Sequence, residues 1–109
     1  MVVLSVTTKR DLDDKLAKAG NKLVVMDIYA DWCGPCKIAA PKFMKLSDEW
    51  PDTIFLKVNA DDCEDIAEEY DLQAMPTFIF IKNRNVVYKL QGAKVDKLKE
   101  KIEALSVTN

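Results

Sequence analysis

Apolar residues follow two patterns along this chain, continuous runs and helical spacing, and each pattern predicts a different element. Continuous runs rich in Val, Ile and Phe are typical of strands buried within a sheet. They predict strands at 2–6, 22–30, 53–59, 77–82 and 85–91. Apolar residues three or four positions apart predict amphipathic helices that bury one face. They predict helices at 9–19, 33–50, 62–70 and 95–105.

Polar, glycine and proline residues mark where these elements begin, end or bend. Thr8 is a suitable N-cap for the first helix, with Asp11 as its capping-box partner and Gly20 as the stop. Pro41 falls inside the second helix and is expected to kink it, because its ring displaces the i−4 carbonyl. A tight turn at 83–85 is expected to join the last two strands.

The order of the predicted elements, β-α-β-α-β-α-β-β-α, is typical of an α/β protein. The alternation of strands and helices at the start of the chain implies parallel strands with right-handed crossovers, whereas the last two strands form an antiparallel hairpin. We therefore predict a single domain over 1–109, with one mixed five-stranded sheet and helices on both faces. Active sites on such sheets tend to lie beyond the carboxyl ends of the strands. The segment "DWCGPC", 31–36, occupies such a position after the most apolar strand.

The length and charge of the chain restrict its range of functions. A chain of 109 residues is enough for one domain, and its net charge of −2 offers no basic surface for nucleic acid or an anionic membrane. The first apolar run is too short for a signal peptide, and no run approaches the roughly 18 residues of a membrane span. Three cysteines, an odd number, argue against a secreted disulfide framework. We expect a cytoplasmic protein and leave open whether it also enters the nucleus.

Cys33 and Cys36 form a Cys-x-x-Cys pair, a pattern shared by metal sites, structural disulfides and redox centres. Zinc and iron–sulfur sites need four ligands, usually Cys or His, and this chain has no His and only one further Cys. Haem attachment needs His after the second Cys, where Lys37 stands. A structural disulfide across so short a loop constrains the unfolded chain little. The pattern therefore favours redox catalysis without a metal.

The predicted helix start gives the two thiols different roles. Cysteines three apart at a helix start lie close enough for a disulfide. Unpaired N–H groups of the first turn, together with the helix dipole, favour a thiolate by about 1–2 kcal/mol, or roughly one pKa unit. Cys33, at the turn, is expected to be the exposed nucleophile, and Cys36, one turn deeper, the resolving thiol. Between them, Gly34 would allow a tight turn and Pro35 suits the first helical turn.

Trp32 and Cys63 each leave two interpretations open. Trp32 is either a core residue or an exposed platform, beside the reactive thiol, on which a peptide docks. Cys63 falls on the apolar face of its predicted helix, where packing is its expected role. A disulfide-linked dimer through Cys63 is the alternative to a monomer.

Four segments together resemble the thioredoxin family. They are "WCGPCK" after "DIYAD", then "FLKVNAD", then "AMPTFIFIKN", and Gly92 before the last helix. The match covers essentially the whole chain in order and spacing, and "NADDC" is most similar to cytosolic animal members. The resemblance implies a thioredoxin fold, in which a mixed central sheet of strand order 1-3-2-4-5 is flanked by four helices.

The resemblance also implies an activity and a set of partners. It implies an enzyme, a protein-disulfide reductase that works by dithiol–disulfide exchange. Electrons would come from NADPH through a flavin-containing thioredoxin reductase, and this chain itself would bind no cofactor. Family targets include peroxiredoxin, ribonucleotide reductase and methionine sulfoxide reductase.

Two charged residues in the predicted sheet gain a role from the resemblance. Asp27 lies in the buried strand, where an unpaired carboxylate is costly and tends to take a proton. The resemblance implies that Asp27 exchanges a proton with Cys36, directly or through water, and that Lys57 in the neighbouring strand assists. A structural ion pair between Asp27 and Lys57 is the alternative.

Three further residues would form the surface that binds substrate. The resemblance implies a cis peptide bond between Met75 and Pro76, although the sequence alone favours trans. The backbone of Met75 would then pair with an extended substrate like an added strand. Gly92 would lie beside this loop. The alternatives are a strand-start role for Pro76 and a plain turn for Gly92.

Two other functions use the same residues. In the first, the chain is a redox-gated binding subunit whose reduced face holds a partner enzyme without turnover. In the second, it is an oxidase or isomerase of the protein disulfide isomerase kind. Gly34 and Pro35, the absence of His between the cysteines and the absence of a secretory signal argue against the second.

Overall fold

The computed structural model describes residues 2–106 as nine elements built around one sheet. The strands are β1 (Val3–Val6), β2 (Val24–Tyr29), β3 (Ile54–Asn59), β4 (Thr77–Lys82) and β5 (Asn85–Gln91). The helices are α1 (Lys9–Ala19), α2 (Gly34–Glu49), α3 (Glu64–Glu69) and α4 (Val95–Ser106). Over this part of the chain, no helix combines the length and the apolar character needed to cross a membrane. The predicted elements are confirmed in type and order.

The start of α1 follows the predicted cap but not the predicted capping box. The Thr8 side chain accepts a hydrogen bond from the backbone N–H of Asp11 at 3.0 Å. The Asp11 carboxylate accepts from the backbone N–H of Thr7 at 3.0 Å, one residue before the cap. A capping box would instead return this bond to the N–H of Thr8 itself.

Helix α3 is shorter than the predicted 62–70 at both ends. The N–H groups of Asp62 and Cys63 both donate to the carbonyl of Asn59, so these residues form a turn and not a helical start. At the other end, Asp71 has a left-handed φ of 46°, which stops the helix. Pro41 lies inside α2 as predicted, and the kink that it should cause stays a prediction.

The strands pair in the order β1-β3-β2-β4-β5, as the resemblance implied. β1, β3 and β2 run parallel, while β4 and β5 form the antiparallel hairpin predicted from the sequence. β2 is therefore central, with β3 on one side and β4 on the other. Asp27, in the middle of β2, lies opposite Lys57 of β3 and Phe78 of β4.

Both faces of the sheet carry an apolar core, which explains why the run before Ala30 shows no alternation. On one face, α1 and α3 pack against every second residue of β2. The buried residues there include Leu12, Leu16, Ile66, Val24, Met26 and Ile28. On the other face, α2 and α4 cover the remaining positions. The residues there include Phe43, Leu98, Ile102, Val25, Phe55 and Phe78.

The depth of the first core yields a test with two leucines that differ in burial. Leu12 of α1 is fully buried, whereas Leu4 of the edge strand β1 is 40% exposed. We expect Leu12→Ala to lower the free energy of unfolding by about 2–5 kcal/mol, because it removes buried methyl groups and leaves a cavity. Leu4→Ala should cost less than about 1 kcal/mol. Urea denaturation of the oxidised chain measures both values, and equal losses would contradict the assigned packing.

Candidate active site

Cys33 and Cys36 lie where β2 ends and α2 begins. Cys33 is the N-cap of α2, and the backbone N–H of Cys36 donates to the Cys33 Sγ at 3.1 Å. A disulfide joins the two residues, whose Cα atoms are 5.2 Å apart. The predicted placement at a helix start is confirmed. An N–H group of the first turn therefore points at the sulfur on which a thiolate would form.

Cys33 is more buried than predicted. Only 4% of its surface is exposed, close to the 3% of Cys36. The prediction of an exposed Cys33 is therefore wrong for this disulfide form. The reason is packing, since the two cysteines and Ala30 form a small cluster covered by Tyr29 and Met75.

The residues between the cysteines leave the neighbouring surface open. Gly34 is the first residue of α2, and its φ lies outside the left-handed region, so its backbone conformation does not require glycine. A Cβ atom at Gly34 would meet no atom within 4 Å. Pro35 occupies the first turn of α2, as predicted, where its missing N–H costs no intrahelical hydrogen bond.

A groove of about 400 Å³ runs past Cys33. One wall is formed by Trp32, Gly34 and Pro35, and the other by Leu72, Gln73, Ala74 and Met75. Trp32 is 70% exposed, which excludes the core interpretation and leaves the platform. The peptide bond between Met75 and Pro76 is cis, as the resemblance implied. Trp32 and Met75, two of the predicted binding residues, thus line the same groove as Cys33.

Trp32 is held by a residue that the sequence analysis did not assign to the site. Its Nε1 donates to a carboxylate oxygen of Asp61 at 3.1 Å. The backbone N–H of Asp61 donates to the Asn59 side chain at 3.0 Å, and the Asn59 amide donates to Asp31 at 3.3 Å. These bonds connect the loop before Cys33 to the end of β3. The acidic segment "NADD" is a weak signal for this arrangement, because the partners are far apart in sequence.

Gly92 contacts the cis loop directly. Its N–H donates to the Pro76 carbonyl at 2.7 Å. Its φ of 88° lies in the region that favours glycine, so backbone conformation explains the residue type. The buried Thr77 hydroxyl donates to the Ala74 carbonyl at 2.6 Å and so holds the loop that contains the cis bond. The predicted position of Gly92 beside the loop is confirmed.

Asp27 is a buried carboxyl group in the central strand. It is 4% exposed, and its Oδ1 has no hydrogen-bond partner among residues 2–106. Burial raises the pKa of Asp27 to about 7, against a smaller opposing effect of the Lys57 charge. Lys57 therefore acts on Asp27 through its charge and does not satisfy Oδ1. A carboxyl group with this pKa can accept or donate a proton near neutrality.

Asp27 and Cys36 line the same cavity, which has a volume of about 190 Å³. Lys57 also lines it, and much of the remaining wall is apolar, including Val3 and Phe43. The cavity is large enough to admit water. A water-mediated proton path between the Asp27 carboxyl and the Cys36 sulfur is therefore sterically allowed.

Cys63 lies away from this centre, in the core beneath α1 and α3. It is 3% exposed, and its Sγ lies 3.4 Å from the carbonyl oxygen of Thr7. Burial raises the pKa of the Cys63 thiol, and the neighbouring carboxylates of Asp65 and Asp62 add to the shift. The expected packing role is confirmed. A thiol that is both buried and protonated is a poor partner for an intermolecular disulfide.

The combined geometry suits exchange between a dithiol and a disulfide. The disulfide lies at a helix start, an open groove passes it, and a titratable carboxyl group lies beneath. Within 2–106, no group of three or more His, Cys, Asp or Glu side chains is arranged to hold a metal ion.

Comparison with known proteins places this chemistry in a family. The thioredoxin family profile matches residues 3–104. Thioredoxin-T of Drosophila melanogaster is 52% identical over 103 residues, which cover 94% of this chain and 66% of that protein. Thioredoxin of Gallus gallus is 43% identical, over 95% of this chain and 99% of its own length. The crystal structure of a poplar thioredoxin h superposes with a TM-score of 0.93 at 37% identity and covers 98% of both chains. The chain belongs to the thioredoxin family of protein-disulfide oxidoreductases.

Proposed function

We propose that this chain reduces disulfides in target proteins, with Cys33 as nucleophile and Cys36 as resolving thiol. The observation that supports this most directly is the hydrogen bond from the Cys36 N–H to the Cys33 Sγ. In the reduced form, the same N–H would stabilise a Cys33 thiolate, because the start of α2 supplies unpaired donors. Cys36 has no equivalent role at the cap, since it lies within the first turn.

The first step forms a mixed disulfide. The Cys33 thiolate attacks one sulfur of the target disulfide, and the other target sulfur leaves as a thiolate. Trp32 and the loop 72–75 form the two walls that would hold the target on either side of Cys33. The open surface at Gly34 leaves space for the target backbone.

The second step releases the target. Cys36 loses its proton to Asp27, through water in the shared cavity, and attacks the Cys33 sulfur. The bond between Cys33 and the target breaks, and the target sulfur leaves as a thiolate. This thiolate takes up the proton held by Asp27, and the thiolate released in the first step takes up a proton from solvent. Both target sulfurs end as thiols, and the chain ends with the disulfide that the structure contains.

A complete cycle needs a source of electrons and a set of targets. We place a flavin-containing thioredoxin reductase, supplied by NADPH, in the first role. Peroxiredoxin, ribonucleotide reductase and methionine sulfoxide reductase are the targets that we propose. Reduction of target disulfides suits a reducing compartment such as the cytoplasm. We propose that the chain acts there as a monomer.

Turnover distinguishes a reductase from a redox-gated binding subunit. We expect the chain to accelerate the reduction of insulin by dithiothreitol, because the thiolate attacks disulfides faster than the reagent does. Cys36→Ser should reduce the rate to that of dithiothreitol alone, since the mixed disulfide has no resolving thiol. Cys63→Ala is the matched control and should keep the full rate. An unaltered chain no faster than its Cys36→Ser variant would exclude the reductase function.

The raised pKa of Asp27 predicts an unusual pH dependence of stability. Below about pH 3.8 the Asp27 carboxyl is protonated in both the folded and unfolded states, so its burial does not lower the free energy of unfolding through ionisation. As the pH rises from 3.8 to about 7, Asp27 ionises in the unfolded state but stays protonated in the folded state. The unfolded state is therefore favoured increasingly, and the free energy of unfolding falls. The loss reaches about 4 kcal/mol, at about 1.4 kcal/mol per pH unit. In Asp27→Asn this pH-dependent loss should disappear, as measured by urea denaturation of the oxidised form at pH 4 and pH 8.

The same variant tests the proton role. Asp27→Asn should slow insulin reduction and remove the inflection near pH 7 from its rate profile, because Cys36 loses its proton acceptor. An unchanged profile, together with the expected gain in stability, would show that Asp27 is a buried group without a role in catalysis.

The different environments of Cys33 and Cys63 predict selective alkylation. After brief exposure of the reduced chain to iodoacetamide at pH 7, mass spectrometry should find the label on Cys33 and not on Cys63. The reason is that burial and the nearby carboxylates raise the pKa of the Cys63 thiol, whereas the Cys33 sulfur accepts the Cys36 N–H and Cys33 lines the open groove. Unfolding in urea should make Cys63 react. Equal labelling of both residues in the native chain would contradict this assignment.

A further inference from the structure

We propose that Lys89 is a positioning residue, which sets the geometry of the groove wall at 72–75 and thereby the rate at which protein disulfides react. The inference rests on the proposed function, because it concerns how that site holds its target. Lys89 lies on β5, outside the sequence motifs, and does not line the groove itself.

Lys89 is bonded to the start of the groove loop. Its Nζ donates to the carbonyl of Tyr70 at 2.7 Å and to that of Asp71 at 3.0 Å. These carbonyls follow α3, whose last turn contains no basic residue. The final carbonyls of a helix lack intrahelical partners, so a cation from another element can satisfy them. A charged donor makes these bonds stronger than neutral ones.

The same strand also holds the other end of the loop. The Gly92 N–H, directly after β5, donates to the Pro76 carbonyl at 2.7 Å. Lys89 is itself fixed in register, because it pairs with Ile79 of β4. Strand β5 and the residue after it therefore contact the loop on both sides of 72–75. Between these contacts, the Thr77 hydroxyl bonds the Ala74 carbonyl nearer to the Pro76 end.

The two ends of the loop therefore depend on different groups. The Pro76 end is held by two bonds that involve no lysine. At the Asp71 end, the Asp71 N–H donates to the Glu68 carbonyl and the Gln73 amide donates to the Asp71 carboxylate, and Lys89 supplies the two bonds that come from another element. Asp71 has a left-handed φ of 46°, a conformation that is uncommon outside glycine but that Asp adopts more often than most residues. Loss of the ammonium would loosen the Leu72 side of the wall and leave the cis bond and the disulfide in place.

Protein and small substrates should respond differently to this loosening. An extended peptide must fit between Trp32 and the loop wall, so misplacement of the wall lowers its rate. Iodoacetamide needs only the Cys33 thiolate, whose N–H donor belongs to α2. A residue that merely stabilises the fold would change neither rate as long as the chain stays folded.

The test compares Lys89→Met, which keeps length and removes charge, with Lys89→Arg and the exposed-site control Lys97→Met. We expect Lys89→Met to lower the second-order rate constant for insulin reduction by the reduced chain by about 3- to 10-fold. Its iodoacetamide rate and the pH profile of that rate should match the unaltered chain. Lys89→Arg should recover part of the insulin rate, and Lys97→Met should leave both rates unchanged.

Hydrogen exchange supplies a second readout. Amides at 71–74 should exchange faster in Lys89→Met, while amides of β2 and α2 should keep their protection. A lower denaturation midpoint with unchanged insulin rate and unchanged loop exchange would overturn the proposal and leave Lys89 a stabilising residue only. Failure of the unaltered chain to reduce insulin would instead overturn the proposed function.

Discussion

The hydrogen bond between the Cys36 N–H and the Cys33 sulfur is the contact on which the site depends. It is a helix cap in which sulfur takes the place of the usual side-chain oxygen. One interaction thus specifies where α2 begins and which of two cysteines has a donor aimed at its sulfur. The chemistry follows from the fold here, because the helix cannot be started at this point without preparing that sulfur for a negative charge.

Asp27 shows the opposite relation, in which a buried group lowers the stability of the fold near neutral pH. It lies in the central strand β2, opposite Lys57 and Phe78, and the Lys57 charge offsets only part of the cost of burial. An apolar residue would suit that position better on energetic grounds. The two apolar cores on either side of the sheet, centred on Leu12 and Phe43, supply the stability that allows such a residue to persist.

The sequence predicted most of the fold because the signals for it are local. The unbroken run before Ala30 and the spacing of apolar residues in α1 and α4 follow directly from burial on the faces of a sheet. The cap at Thr8 and the site of the cysteines were equally local. The length of α3 was predicted less well, since its first turn is replaced by bonds to the carbonyl of Asn59.

Features of the site that depend on distant partners could not be predicted from local patterns. The cover over Cys33 comes from Met75, and the partner of Trp32 is Asp61, 29 residues away. Lys89 bonds the carbonyl of Tyr70, 19 residues away, and its local sequence on β5 gives no indication of this contact. These contacts come from elements other than the helix that prepares the sulfur. The groove wall and the capped sulfur are therefore held by separate elements, the wall by β5 and Gly92 and the sulfur by the start of α2.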